Sequence, residues 1–431
     1  MQTANQGSVL ANRNFRLLFG GSTVSALGDQ FTLVALPWLV LKLTGDPAAL
    51  GLVLAAMALP RAIFMLIGGA VVDRMSPRRV LLAARGANAL LVSLLALLVL
   101  GGAINMPMVY AIALGIGLST AFAYPASSSI LPQLMEPTQL APANALIMGM
   151  RQLSVFVGPL LAGLVIGTGA HAAATRGPAD AHGLGLAFGI DAVSFLASLG
   201  SLMMIRLHTD DHPRRTQGSV LAAVAEGVRG VWADVPLRAF ILYLGAVTVF
   251  VGGPIQVGLP VLADTRLDLG AASLGILMTA NGGGMVLGGF LSKLATRLIR
   301  GRLGLMVLCV DSVAGLGLVM LGWVHSTWSG AALLATTGVL AGIAQIAIIS
   351  WIQQRVSREM MGRTMSLLMF TFMGLGPVSA ALAGTLLKII SLPALFAGAG
   401  LALTAIALGC LTNSALRSIG APKPDEAPLN S

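Results

Sequence analysis

Apolar runs of about 20 residues recur along the whole chain, and the joints between them are too short to be domains. Residues 48–72 and 80–100 are two such runs, and neither can be a soluble segment. The joint between them is Gly68-Gly69-Ala70-Val71-Val72-Asp73-Arg74-Met75-Ser76-Pro77-Arg78-Arg79. A loop this tight and basic joins two membrane-spanning helices on the cytoplasmic side. The fold class is therefore all-α integral membrane. The runs are continuous rather than alternating, which selects helices over a barrel.

Composition agrees. Hydrophobic residues make up 56% of the 431 and charged residues 10%, too little polar surface to cover a water-soluble domain. The mean hydropathy is +0.88. Twelve spans are expected, at about 16–41, 48–72, 79–101, 107–130, 144–168, 184–206, 238–262, 271–293, 303–323, 328–351, 364–389 and 391–413. The 53 glycines suit close helix approach in lipid.

The net charge of +10 does not indicate nucleic acid, because the cations sit in small clusters at the ends of apolar runs. With the N-terminus inside, only Lys42, Arg176, Arg266 and Lys388 fall outside, and Arg61 and Arg151 fall within spans. The other cations, Arg85 among them, count as cytoplasmic. Both termini are thus expected in the cytoplasm. Cys309 and Cys410 lie in apolar runs and suggest neither a disulfide nor a metal site. The first apolar run has no cleavage signal and reads as an uncleaved span.

The longest polar stretch, 208–236, divides the chain into six-span bundles at 1–207 and 237–413, followed by a cytoplasmic tail at 414–431. Within this linker Val220, Val224, Val228, Val231 and Val235 recur at helical spacing. That pattern predicts an amphipathic helix on the inner membrane surface. The halves look like diverged copies: Gly158-Pro159 and Gly163 in span five match Gly376-Pro377 and Gly384 in span eleven. Gly69 and Asp73 are echoed by Gly289 and Lys293.

Residues 12–19 (NRNFRLLF), Gly28-Asp29, Gly69 with Asp73-Arg74 and Arg78-Arg79, and Tyr124-Pro125-Ala126 carry a resemblance. Gly158-Pro159 with Ala162-Gly163, residues 191–195 (DAVSF) and residues 355–363 (RVSREMMGR) complete it. The chain resembles a major facilitator superfamily transporter over nearly its whole length. It is similar to the bacterial efflux branch of macrolide-efflux and enterobactin-exporter proteins. The resemblance implies two pseudo-symmetric six-helix bundles in a bacterial inner membrane, working as a monomer by alternating access. It implies export of hydrophobic or amphipathic small molecules by proton antiport, as in multidrug or macrolide-type resistance. The partners implied are a small-molecule solute, protons and the bilayer. Siderophore export and lysophospholipid flipping stand as alternatives in the same fold, and a non-transporting receptor as a third.

The resemblance also assigns parts. Gly69, Asp73, Arg74, Arg78 and Arg79 form a cytoplasmic gate, with Asp73 facing the positive end of span eleven near Thr364. The alternative is a topology signal with a helix cap. Gly158, Pro159, Gly163, Gly376 and Pro377 are a helix-bend motif. Spans one, four, seven and ten line the cavity, which points to Gln30, Phe31, Phe122, Gln256 and Gln345, with Asn281 on span eight. Interhelical hydrogen bonds or core packing are the alternatives for each of these.

Charges inside spans are costly and functional by default. Asp29 and Arg61 lie near mid-span at similar depth. They read either as a proton-coupling carboxylate beside a cation or as a structural ion pair. Asp191 and Asp311 are placed nearer span ends, with Asp191 read as capping or packing and Asp311 open between structural and functional readings. Arg151 reads as snorkelling or as anion binding. No nucleotide-binding motif is present, so the proton gradient is the expected energy source and no cofactor or metal is expected. His171, His182, His208, His212 and His325 all lie in loops or at helix ends, so no enzyme site is expected.

Overall fold

The computed structural model describes residues 9–172, 181–205, 229–298, 303–356 and 358–412. These form twelve helices, each with a stretch long and apolar enough to cross a membrane. They are α1 (Arg13–Thr44), α2 (Pro47–Arg74), α3 (Pro77–Leu100), α4 (Met106–Leu134), α5 (Leu140–Ala172) and α6 (Ala181–Met203), then α7 (Val235–Arg266), α8 (Ala271–Leu298), α9 (Leu303–Leu321), α10 (Thr327–Arg355), α11 (Arg358–Leu386) and α12 (Leu392–Cys410). All twelve expected spans are present. Most run past the predicted limits, because capped polar turns carry the helix beyond the apolar stretch. Asn12 accepts from the N–H groups of Asn14 and Phe15 to start α1, and its amide donates 3.0 Å to Leu134 O at the end of α4. Gly45, at φ +63°, closes α1 in the left-handed conformation.

The chain divides into two compact units. One holds residues 1–45 and 53–220, the other residues 46–52 and 221–431. The same pairings occur in each, six helices apart. In the first unit α1 packs on α5 and α6, and α3 on α4 and α6. In the second α7 packs on α11 and α12, and α9 on α10 and α12. This is the internal repeat in three dimensions. Large apolar side chains such as Leu90 (70% exposed) and Phe290 (80%) stand on the outside, as lipid requires and water would not permit.

The start of α2 belongs with the second unit, where Asp46 pairs with Lys388 at 2.9 Å and Gly51 and Gly384 let α2 and α11 approach closely. The described end of the linker, residues 229–233, is helical, and Val231 is buried in the core beside Leu237, Phe240 and Trp351. Residues 206–228 and the tail 414–431 lie outside the described residues.

Asp234 caps α7, accepting from Leu237 N–H at 3.1 Å, and forms a bidentate pair with Arg355 at 2.8 and 3.0 Å. Partial burial pushes its carboxyl up, but the Arg355 hydrogen bond, the cap bond and the Arg355 charge outweigh it and hold it below the usual range. A lowered folded value stabilises above the unfolded value of about 3.9 and is lost as pH falls through the folded one. Thermal melts taken from neutral pH to below about 4 should therefore fall less steeply for Asp234→Asn than for the wild type. Parallel profiles would remove Asp234 from the account.

Candidate functional site

Asp29 falls at the midpoint of α1, Arg61 at the midpoint of α2, and Arg151 just before the middle of α5. Arg85, eight residues into α3, joins them. All four belong to the first unit. Asp29 and Arg151 are exposed, while Arg61 and Arg85 are half-buried. Asp29 feels the charges of Arg85, Arg151 and Arg61, and Arg61 feels that of Arg151. Asp29 is therefore exposed and yet feels the charge of three guanidiniums.

Sequence reasoning missed Arg85, which was counted as a cytoplasmic cation. Its Nη1 donates to Ser25 Oγ on α1, and its guanidinium stands 5.9 Å from the centre of the Phe195 ring on α6. It also feels Asp191. Asp191 is not near a span end. It sits at the middle of α6, 1% exposed, and accepts from Thr32 Oγ1 at 2.5 Å and Ser194 Oγ at 3.2 Å. Gly28 makes this junction: a Cβ there would overlap the Ser194 side chain and approach Asp191 Oδ1. The packing role read for Asp191 thus extends to a charge shared with Arg85.

A mid-bilayer charge facing acyl chains costs at least about 2.5–3.5 kcal/mol. An exposed carboxylate among exposed and half-exposed guanidiniums cannot face lipid on those terms. The face of the first unit that carries Asp29 and Arg151 therefore lines a water-accessible space.

The second unit has a different polar pair on the equivalent helices. Tyr243 of α7 donates 2.6 Å to Asp311 of α9, just as Arg85 of α3 donates to Ser25 of α1. Asp311 is near the midpoint of α9 and half-buried, again away from the span end. Among the described residues no cation acts on it.

The remaining predicted residues scatter. Gln30 (8% exposed) packs its Cβ and Cγ against Gly158, and Phe31 is buried. Phe122 packs on the core around Phe15 and Ile130. Gln256 and Gln345 are exposed, and Asn281 donates 3.4 Å to Leu334 O across α8 and α10. Pro159 lies inside α5 and Pro377 inside α11, and Gly163 is buried. Gly158 is needed for close approach to α1, whereas a Cβ at Gly376 would make only ordinary contact with Gln256. Arg78 donates 2.9 Å to Met203 O at the end of α6, a brace within its own unit, and Arg79 is exposed. Gly69, Asp73 and Arg74 have helical backbone, and their surroundings lie outside the described residues.

Known proteins resemble the chain along most of its length. The chain is 28% identical to the multidrug efflux pump Tap of Mycobacterium tuberculosis (strain ATCC 25618 / H37Rv), covering 99% of this chain and 98% of that one. It is 26% identical to the enterobactin exporter EntS of Salmonella typhimurium, covering 81% and 80%. Among solved structures the nucleoside transporter NupG superposes with a TM-score of 0.68 at 13% identity, covering 93% of this chain and 98% of that one. A bacterial homologue of the human lysosomal transporter Spinster, inward-facing and unoccupied, gives 0.65 at 15%, covering 94% and 95%. At such identities these structures show the fold alone. The profile of the Major Facilitator Superfamily matches residues 18–381. With twelve spans, a six-helix repeat and this match over most of its length, the chain is a multi-pass membrane protein of the Major Facilitator Superfamily.

Proposed function

We propose that the chain is a secondary-active exporter of hydrophobic or amphipathic small molecules in a bacterial inner membrane. It acts as a monomer by alternating access with both termini in the cytoplasm. The observation that carries this reading is the exposed Asp29 among Arg61, Arg85 and Arg151 at mid-span, a polar face that a scaffold would not need. The likeness to an efflux pump and an exporter along most of their lengths supports the direction. Siderophore export is the second reading, favoured by the likeness to the enterobactin exporter.

Energy comes from the proton gradient by antiport. Asp29, which the sequence put first, has three cations for partners and acts as their counter-charge. Among the described residues Asp311 has only the Tyr243 hydroxyl for a partner, and it carries the proton across. The segment from Gly69 to Arg79 closes the cytoplasmic side, with Arg78 as its anchor on α6.

Acid-inside everted vesicles, loaded with a pH indicator and given macrolides, dyes and siderophores in turn, test this. Solute-dependent alkalinisation is expected in wild type. Asp311→Asn should lower it by about ten-fold or more, as expected for a general acid–base group, with solute binding retained. Full proton flux in Asp311→Asn, with loss in Asp29→Asn, would return the proton to Asp29. No response to any solute would sink the exporter reading.

A further inference from the structure

The arginine cluster holds more positive charge than its own carboxylates balance. Three guanidiniums, those of Arg61, Arg85 and Arg151, face Asp29 and Asp191. Asp191 is already engaged by the Thr32 and Ser194 hydroxyls and shared with Arg85. Among the described residues, that leaves Asp29 alone to serve Arg61 and Arg151. These two act on one another as like charges. The Nε of Arg61 is also buried without a hydrogen-bond partner. A buried donor left unmade is costly, and two guanidiniums that repel each other are relieved by an anion placed between their charges.

Apolar surface accompanies the charge. Phe64 lies one turn beyond Arg61 on α2, and Met148 one turn before Arg151 on α5. They are 38% and 64% exposed. Residues three apart share a helix face, so each arginine has an exposed apolar side chain beside it.

We propose that the first unit binds the anionic group of an amphipathic substrate, a carboxylate, phosphate or sulfonate, through Arg61 and Arg151, with Asp29 as the internal anion it displaces. This rests on the exporter reading and narrows its substrate class to acids. Arg85 is the positioning residue: tied to Ser25 and shared with Asp191, it holds α1 and thus Asp29 in place. An acidic solute also leaves a cell with the inside-negative potential in its favour, by about 2.3 kcal/mol per charge per 100 mV.

The test uses the full chain in phosphatidylcholine nanodiscs and two dyes of the same shape, anilinonaphthalene sulfonate and uncharged N-phenylnaphthylamine. Wild type should bind the sulfonate more tightly. Arg61→Gln and Arg151→Gln should each weaken the sulfonate by about ten-fold, the loss of one charge-assisted contact, and leave the uncharged dye within about two-fold. Arg61→Lys should recover part of the loss, since it restores charge without the fork. Asp29→Asn should tighten the sulfonate by removing its competitor. Competition by added phosphatidylglycerol assigns the anion to a lipid headgroup, and its absence to a soluble amphiphile; both outcomes keep the anion site. Equal binding of the two dyes by wild type, or sulfonate binding untouched in both Gln variants, overturns the proposal. Saturable binding without movement of either dye across sealed vesicles would instead count against the exporter reading and leave the anion site standing.

Discussion

Gly342→Val should remove most of the folded protein from the membrane. On α8, Gly284 and Gly288 lie against Ala335 and Val339 of α10, and on α10, Gly338 and Gly342 lie against Asn281 and Met285 of α8. Each helix thus presents two glycines four residues apart, and each glycine faces backbone. A Cβ at any of them would fall inside the neighbouring carbonyl, closer than real contacts allow. Small residues at this spacing let helices touch backbone to backbone where lipid supplies no hydrophobic drive between them. Valine forces the helices apart, and the cost is that of overpacking, about 3 kcal/mol or more. Gly398 of α12 is the control, since a Cβ there meets nothing within 4 Å. Yield of monodisperse protein and melting temperature in mild detergent should fall for Gly342→Val and hold for Gly398→Val. Equal stability of the two would mean that α8 and α10 do not approach as described.

The second large effect is expected at Asp191. Leucine at this position leaves Arg85 without one of its two carboxylates and orphans the Thr32 hydroxyl inside the first unit. Breaking one side of a buried charge pair costs about 3–5 kcal/mol. Asp191→Asn keeps an acceptor for Thr32 while removing the charge, and should cost about 1–3 kcal/mol. Melting temperatures should therefore rank wild type, Asn, Leu. If Leu equals wild type, the carboxylate is dispensable to folding and Arg85 relies on Asp29 alone. Phe195 on the same helix limits the loss for both variants, since its ring still faces the Arg85 guanidinium.

Span number, the repeat and the mid-span location of Asp29 and Arg61 were readable because hydropathy and loop charge report depth along a helix. Azimuth was not readable. A helix such as α6 or α9 is apolar all round, so no 3.6-residue stripe says which face meets which neighbour. Gln30 illustrates the loss: its depth suggested a cavity lining, and its azimuth puts it against Gly158. Arg85 was lost differently. Sorting cations by nearness to a loop counts a residue two turns into α3 as cytoplasmic, although its partners Ser25 and Asp191 lie on α1 and α6. Tyr243 gave no signal at all, because a tyrosine in an apolar run looks like interfacial or core packing until Asp311 appears beside it.

Helix α2 does not pack as one piece. Its first turns, through Leu52, belong to one unit, and it continues from Val53 in the other. A helix gives way most readily where its own hydrogen-bond ladder is broken. Pro60 is where this helix has given up a hydrogen bond of its own ladder, and Arg61 is the next residue. The compliant joint of the rod therefore carries the guanidinium that faces Arg151. Flexing there would slide a charge along with the backbone, so that mechanical strain in α2 and electrostatic load on the cluster become two readings of one coordinate.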